Sequence, residues 1–161
     1  MNVALIVNPF ASAVSEERVR VVEEELSRAG TVRTVLTERA GHGVDLAAAA
    51  SEEAVVVYSG DGGFNEVLNG VRDGALLGFL PGGGTNVLPR ALGLPRDATA
   101  AARQVADALE QGRTRTTSTA SRSPATGRLR SRPTARISAT STWRSSKPSG
   151  ALLACSSRVS S

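Results

Sequence analysis

Two hydrophobic rhythms take turns along residues 1–111. Val3-Ala4-Leu5-Ile6-Val7 and Ala54-Val55-Val56-Val57-Tyr58 are unbroken apolar runs, the pattern of strands buried on both faces of a parallel sheet. Between them apolar residues recur at helical spacing. A helix from about Glu16 to Ala29 sets Val19, Val22 and Leu26 on one face; Ser15 can cap it, Glu16 and Glu17 suit its positive end, and Gly30 stops it. Thr31 to Thr37 reads as a more polar strand, suited to a sheet edge, and Val44 to Ala50 as a small helix. A further helix carries Phe64, Val67, Leu68 and Val71 and starts near Gly63, followed by a strand over Ala75 to Leu80. A short helix near Asn86 to Leu92 precedes a long one from Asp97 to Glu110, with Ala98, Ala101, Ala102, Val105 and Leu109 inward. The alternation predicts an α/β domain with a mainly parallel sheet.

After Gly112 the grammar stops. The last 50 residues hold 21 Ser or Thr, and their only large aliphatic or aromatic side chains are Leu129, Ile137, Trp143, Leu152, Leu153 and Val159. So little apolar surface cannot offset the entropy of ordering the chain, which predicts a disordered or poorly packed segment. Charge divides at the same place. Residues 1–111 carry 9 Arg against all 15 acidic residues, a formal −6, whereas residues 112–161 carry 9 Arg and Lys147 with no acid, a formal +10. The overall +4 is therefore the average of an acidic body and a basic tail.

Scarce residue types exclude whole chemistries. Lys147 is the only lysine, so the body holds neither a P-loop lysine nor a protein-kinase lysine. His42 is the only histidine and Cys155 the only cysteine, which disfavours a Cys/His zinc site or a disulfide framework and fits a reducing cytoplasm. His42, between two glycines, reads as an exposed loop residue rather than a nucleotide contact. No apolar run approaches about 18 residues and Met1-Asn2-Val3 has no basic leader, so neither a transmembrane helix nor a signal peptide is expected.

Three loops follow strands and are expected to meet at one sheet edge. They are Asn8-Pro9-Phe10-Ala11-Ser12, Ser59-Gly60-Asp61-Gly62-Gly63-Phe64-Asn65-Glu66 and Pro81-Gly82-Gly83-Gly84-Thr85-Asn86. Glycine lets backbone N–H groups approach an oxyanion, and helix N-termini follow, adding positive partial charge. Such a site holds phosphates without lysine. Asp61, among glycines, could hold Mg²⁺ through water or orient a hydroxyl. Phe64 and Tyr58 suit the core better than a stacking role.

The strings VNPFAS, YSGDGGFNEVLNG and LGFLPGGGTNVLPRALGLP resemble, in order and spacing, the signatures of the catalytic domain shared by diacylglycerol kinases, sphingosine kinases and related bacterial lipid kinases. The resemblance covers about residues 2–111; NAD kinases and 6-phosphofructokinases are more distantly similar through the Gly-Asp-Gly loop. It implies a Rossmann-like three-layer nucleotide domain facing an all-β domain across an active-site cleft. It makes Asn8 and Thr37 nucleotide contacts, wraps the ATP phosphates with Ser59, Gly60, Asp61, Gly62, Gly63, Phe64 and Asn65, and closes the site with Gly83, Gly84, Thr85 and Asn86. Asp61 becomes the signature acid, orienting phosphate or metal, and Glu66 and Asn69 brace the loop. Two departures stand out: Gly63 replaces a frequent Thr, losing a hydroxyl, and Pro89 replaces a small residue and is expected to break the short helix.

The chemistry so implied is transfer of the ATP γ-phosphoryl group to a lipid hydroxyl, with ATP and Mg²⁺ as cofactors and a carboxylate as base. In these lipid kinases the proposed base belongs to the second domain. No acid follows Glu110, so the expectation is a truncated, inactive fragment that keeps its nucleotide site, cytoplasmic or peripheral at a membrane and binding no nucleic acid. Residues 112–161 admit three readings: an Arg/Ser tail that binds RNA, DNA or anionic lipid, a solvated linker, and an out-of-frame translation with the frame lost near Gly112 to Thr116. The last is preferred because regrouping the codons of Thr117 to Arg122 allows Asp-Leu-Asp-Gly-Val-Ala, restoring the missing acids and aliphatics. A NAD-kinase-like fragment is the alternative enzyme, and binding through the basic tail the alternative class.

Overall fold

The computed structural model describes residues 1–112 and the backbone of residues 115–118 and 152–156. Strand β1 (Asn2–Val7) leads to helix α1 (Glu16–Ser27), β2 (Thr31–Leu36), α2 (His42–Ala49), β3 (Ala54–Ser59), α3 (Asp61–Gly70), β4 (Leu76–Pro81), α4 (Val87–Ala91) and α5 (Ala98–Glu110). Two short strands, β5 (Arg115–Ser118) and β6 (Leu152–Ser156), complete a six-stranded sheet of order β2-β1-β3-β4-β6-β5. β2, β1, β3 and β4 are mutually parallel, as the apolar runs require.

Burial explains the strand chemistry. Every residue of β3 and all but the first of β1 are buried, whereas β2, at the edge, is only partly covered. Since β1 and β3 are covered on both faces, the helix pairs α1 with α5 and α2 with α3 occupy opposite faces, giving three layers. α5 buries seven residues, among them the five expected to face inward. Ser15 accepts the Arg18 N–H and Asp97 accepts the Ala100 N–H, each capping its helix. Gly30 turns the chain into β2 at φ +154, where an added Cβ would lie 2.0 Å from the Met1 carbonyl oxygen.

Several boundaries differ from the sequence reading. α2 begins at His42 rather than Val44, because Gly41 at φ 80 starts the turn, and α3 begins at Asp61 rather than Gly63. Pro89 does not break α4. It occupies the third helical position, where a backbone N–H would lack an intrahelical acceptor in any case, and the helix runs on to Ala91. β5 and β6 fall in the segment expected to be disordered. β6 overlaps that segment's longest apolar run, Ala151-Leu152-Leu153-Ala154-Cys155, and its backbone pairs antiparallel with the open edge of β4, with β5 parallel beyond it. The remaining tail residues, Trp143 included, lie outside the described residues, as does the stretch on which a nucleic-acid or membrane role for the tail would rest.

Candidate active site

The carboxyl ends of β1, β3 and β4 carry the three glycine-bearing loops, and hydrogen bonds lace them together. Asn8 donates its N–H to the Tyr58 carbonyl at 3.0 Å and accepts the Phe10 N–H at 3.0 Å, folding the first loop back on itself. The Ala13 carbonyl accepts both the Tyr58 hydroxyl and an Arg18 N–H at 3.0 Å, while Ala13 donates to the Gly82 carbonyl at 2.9 Å. Burial is the chief reason that the Tyr58 hydroxyl titrates above its ordinary range. Gly82 in turn donates to the Ser59 carbonyl at 2.7 Å. A Cβ on Gly83 would lie 2.9 Å from Gly60 Cα, so the second and third loops pack backbone against backbone and only glycine fits at 83.

A cavity of about 450 Å³ opens between the ends of β1 and β3 and the starts of α2 and α3. It brings together Asn8, Thr37, Ser59, Gly62 and Gly63 of the expected contacts. Beside it, the first N–H groups of α3 lack intrahelical acceptors; the Phe64 N–H is the first to be used, by the Gly60 carbonyl. Ser59 is 1% exposed and, among the described residues, its hydroxyl has no partner. Unspent donors at a helix N-terminus beside a cavity of this size are what an oligophosphate needs.

Asp61 is not free among its glycines. Its Oδ1 accepts the Val87 N–H at 2.7 Å and so ties the second loop to the start of α4. One carboxylate oxygen remains, and among the described residues no three acidic, His or Cys side chains cluster as a metal site. That set fits Mg²⁺ only as it commonly binds in nucleotide sites, through one carboxylate, water and the substrate's phosphates. Asn86 adopts a left-handed conformation at φ 47, and its side-chain amide both accepts from the Gly83 N–H and donates to the Gly83 carbonyl. Both ends of that amide are spent on building the loop.

Gly83, Gly84, Thr85 and Asn86 line a separate cavity of about 220 Å³ with Arg90 and Arg96. The three loops thus share a sheet edge, while the second and third open onto different cavities. Phe64 is not in the site: its ring is buried against Phe79 at 5.3 Å, edge to face, and its N–H is used within the helix. Asn65 is exposed on α3, its carbonyl accepting from Asn69, so Asn69 braces the helix rather than the loop.

Glu66 braces a different loop from the one expected. Its carboxylate accepts the Gly41 N–H at 2.9 Å and the Gly43 N–H at 3.1 Å, holding the β2–α2 turn against α3. Beside it His42 is half-buried, its Nδ1 accepting the Glu38 N–H at 3.1 Å. Sequence reasoning passed over Arg39, which lines the 450 Å³ cavity two residues beyond Thr37 and pairs with Asp45 at 2.7 Å. Its position at the end of an edge strand, next to a glycine turn, was the available signal.

The family model of the diacylglycerol kinase catalytic domain matches residues 2–120. The chain belongs to this family. The match runs past residue 111, where the change of composition had set the boundary, and takes in β5. A solved structure of a diacylglycerol kinase from Bacillus anthracis str. Sterne is similar at 27% identity with a TM-score of 0.61, over 66% of this chain and 42% of that one. Two further structures from that organism match with the same identity and TM-score. The chain thus spans about two fifths of the length of these proteins. Comparison with curated proteins found no match. Among the described residues, no helix is long and apolar enough to cross a membrane.

Proposed function

We propose that residues 1–111 form the nucleotide-binding part of an ATP-dependent lipid kinase, which moves the γ-phosphoryl group of ATP to the hydroxyl of diacylglycerol or a related lipid alcohol. The observation that carries this reading is the cavity at the N-terminus of α3, beside helix-start N–H groups with no intrahelical acceptor, in a chain of the diacylglycerol kinase family. Asn8 and Thr37 flank the nucleoside, and the N–H groups of Asp61, Gly62 and Gly63 receive phosphate oxygens. Asp61 orients the phosphates or, through water, Mg²⁺, which when bound neutralises the charge that builds on the transferring group. Thr85 and the adjoining glycines approach from the neighbouring cavity, whose Arg90 and Arg96 suit an anion.

In the transfer the lipid oxygen bonds to the γ-phosphorus as the bond to the ADP oxygen breaks, and the hydroxyl proton needs a base. All 15 acidic side chains lie at or before Glu110; Glu66, which lines the cavity, and Asp61, next to Gly62 at its wall, are already bonded to backbone N–H groups. The reading is therefore of a chain that binds Mg-ATP and turns lipid over poorly, meeting the membrane only transiently. Calorimetric titration of the 161-residue chain with ATP, with and without Mg²⁺, alongside a vesicle phosphorylation assay, tests it. Binding that strengthens with Mg²⁺ and little lipid product is expected. Absence of ATP binding overturns the site, and rapid lipid phosphorylation overturns the inactivity.

A further inference from the structure

Residues 1–111 hold four aromatic side chains, and three of them fill the core: Tyr58, Phe64 and Phe79 are buried. Phe10 is 78% exposed. It stands in the loop after β1 and lines the 450 Å³ cavity. Its backbone is held there: Asn8 Oδ1 accepts the Phe10 N–H at 3.0 Å and the Asn8 carbonyl accepts the Ala11 N–H at 3.2 Å, a turn that carries the ring out of the core. One exposed apolar side chain is ordinary on a surface, but an aromatic ring in the lining of a cavity is a ligand surface. The rest of the lining says what that ligand presents. Glu66 spends both carboxylate oxygens on Gly41 and Gly43, Arg39 pairs with Asp45, and the Ser59 hydroxyl is closed to solvent. Few side-chain groups are left to meet the polar edges of a ligand, Asn8 Nδ2 and the Thr37 hydroxyl foremost, while Ile6, Ala40, Val57 and Val67 are apolar. Such a lining suits a flat ring system held by its face.

We propose that Phe10 is the stacking platform for the nucleobase, so that the site selects nucleotides by the area of the base's ring rather than by hydrogen bonds to its edges. This rests on the proposed function, which puts a nucleoside beside Asn8 and Thr37; it adds which residue grips the base and which nucleotides are accepted. Every base has a π face, and the two fused rings of a purine cover more of a phenyl ring than a pyrimidine does. ATP and GTP are then both ligands, and UTP is a weaker one.

Titration calorimetry of the full chain with the magnesium complexes of ATP, GTP and UTP decides it. The unmodified chain is expected to bind ATP and GTP within about threefold of each other and UTP about tenfold more weakly. Phe10→Ala should weaken both purine nucleotides about tenfold, the scale of one base–aromatic stack, and UTP by less, so that the preference for purines collapses. Its melting temperature without ligand should stay within about 2 °C of the parent, since so exposed a ring adds little to the core. Phe10→Trp should keep the purine affinity, and its added indole emission, read against the parent with Trp143, should be quenched by ATP. Unchanged purine affinity in Phe10→Ala overturns the platform, and so does an equal loss for all three nucleotides, which a residue that merely holds the loop would give. GTP about tenfold weaker than ATP, or UTP as tight as ATP, overturns selection by ring area. If the unmodified chain binds none of the three, the platform falls together with the proposed function; if it binds them and Phe10→Ala changes nothing, the proposed function stands and the platform alone falls.

Discussion

Glu66 offers the sharpest test of how the candidate site is held together. Its two carboxylate oxygens take one backbone N–H each, at 2.9 Å from Gly41 and 3.1 Å from Gly43, and both bonds are partly buried. Gly41 caps α2 in the left-handed region without any side-chain cap, so Glu66 does from α3 what a capping residue does locally. A hydrogen bond to a charged acceptor is worth about 1.5–3 kcal/mol, and partial exposure favours the lower end. Replacing Glu66 by Ala removes both bonds and strands two donors, a loss of about 3 kcal/mol. Glu66→Gln keeps one acceptor, loses the charge and turns an amide N–H₂ toward an N–H donor, a loss of about 1.5 kcal/mol. Urea unfolding followed by far-ultraviolet circular dichroism measures both. With a slope of about 1.5 kcal/mol per molar urea, the Ala variant should unfold about 2 M earlier with the slope unchanged. Nucleotide affinity should fall alongside, since Thr37 and Arg39 line the cavity from the turn that Glu66 anchors. An Ala variant that unfolds at the same urea concentration as the parent would refute the clamp.

Three further outcomes follow from individual contacts. Tyr58→Phe removes the bond to the Ala13 carbonyl and should cost about 1 kcal/mol in chemical denaturation. Because burial raises the Tyr58 pKa, the folded state keeps a proton that the unfolded state sheds above about pH 10; stability should fall as pH rises past that point, and less so in the Phe variant. The Arg33 hydrogen bond holds the Glu52 carboxyl below the usual carboxylate range, so its contribution is present above that range and lost as pH falls through the lowered value. Glu52→Gln should flatten the acid side of the thermal-melting profile modestly, since Arg33 is half exposed. Asn86→Gly keeps the left-handed turn but loses the amide bonds to Gly83, whereas Asn86→Ala loses both; calorimetric melting should place Ala below Gly by about 1–2 kcal/mol.

What the sequence could show depended on whether the cause was local. β1 and β3 were legible because a strand buried on both faces must be apolar throughout, and α5 because its alanines and Val105 repeat at helical spacing. The polar character of Thr31 to Thr37 correctly marked an edge. Pro89 misled because a rule for helix interiors was applied to a first turn, where a missing N–H removes nothing. The partners of Asp61 and Glu66 were illegible for another reason: Val87 lies 26 residues from Asp61, and Gly41 25 residues from Glu66, and only the crossing of loops at one sheet edge brings them together. Motif strings mark which residues sit at that edge. They do not separate a ligand contact from a residue that builds the loop, which is why Asn86 and Phe64 sit in the strings while one holds a turn and the other fills the core.

The charge division sharpens how such a site can take an anion. A body with a formal −6 would be expected to repel an oligophosphate, and it has no lysine to counter that charge. Much of the acid is already engaged, however. Glu25 meets Arg28 and Arg103, Asp107 meets Arg28, Glu52 meets Arg33 and Asp45 meets Arg39, while Asp61 and Glu66 accept backbone N–H groups at the site itself. Beside the 450 Å³ cavity the unspent donors are the first N–H groups of α3 and the Ser59 hydroxyl, with the Arg39 guanidinium, itself paired with Asp45, in the lining. Fixed backbone dipoles cost no side-chain entropy to aim, and they act at short range where the long-range repulsion of scattered surface carboxylates is screened by salt. An acidic, lysine-free body and an anion site are compatible because attraction is set by the few groups that face the cavity, not by the sum over the chain.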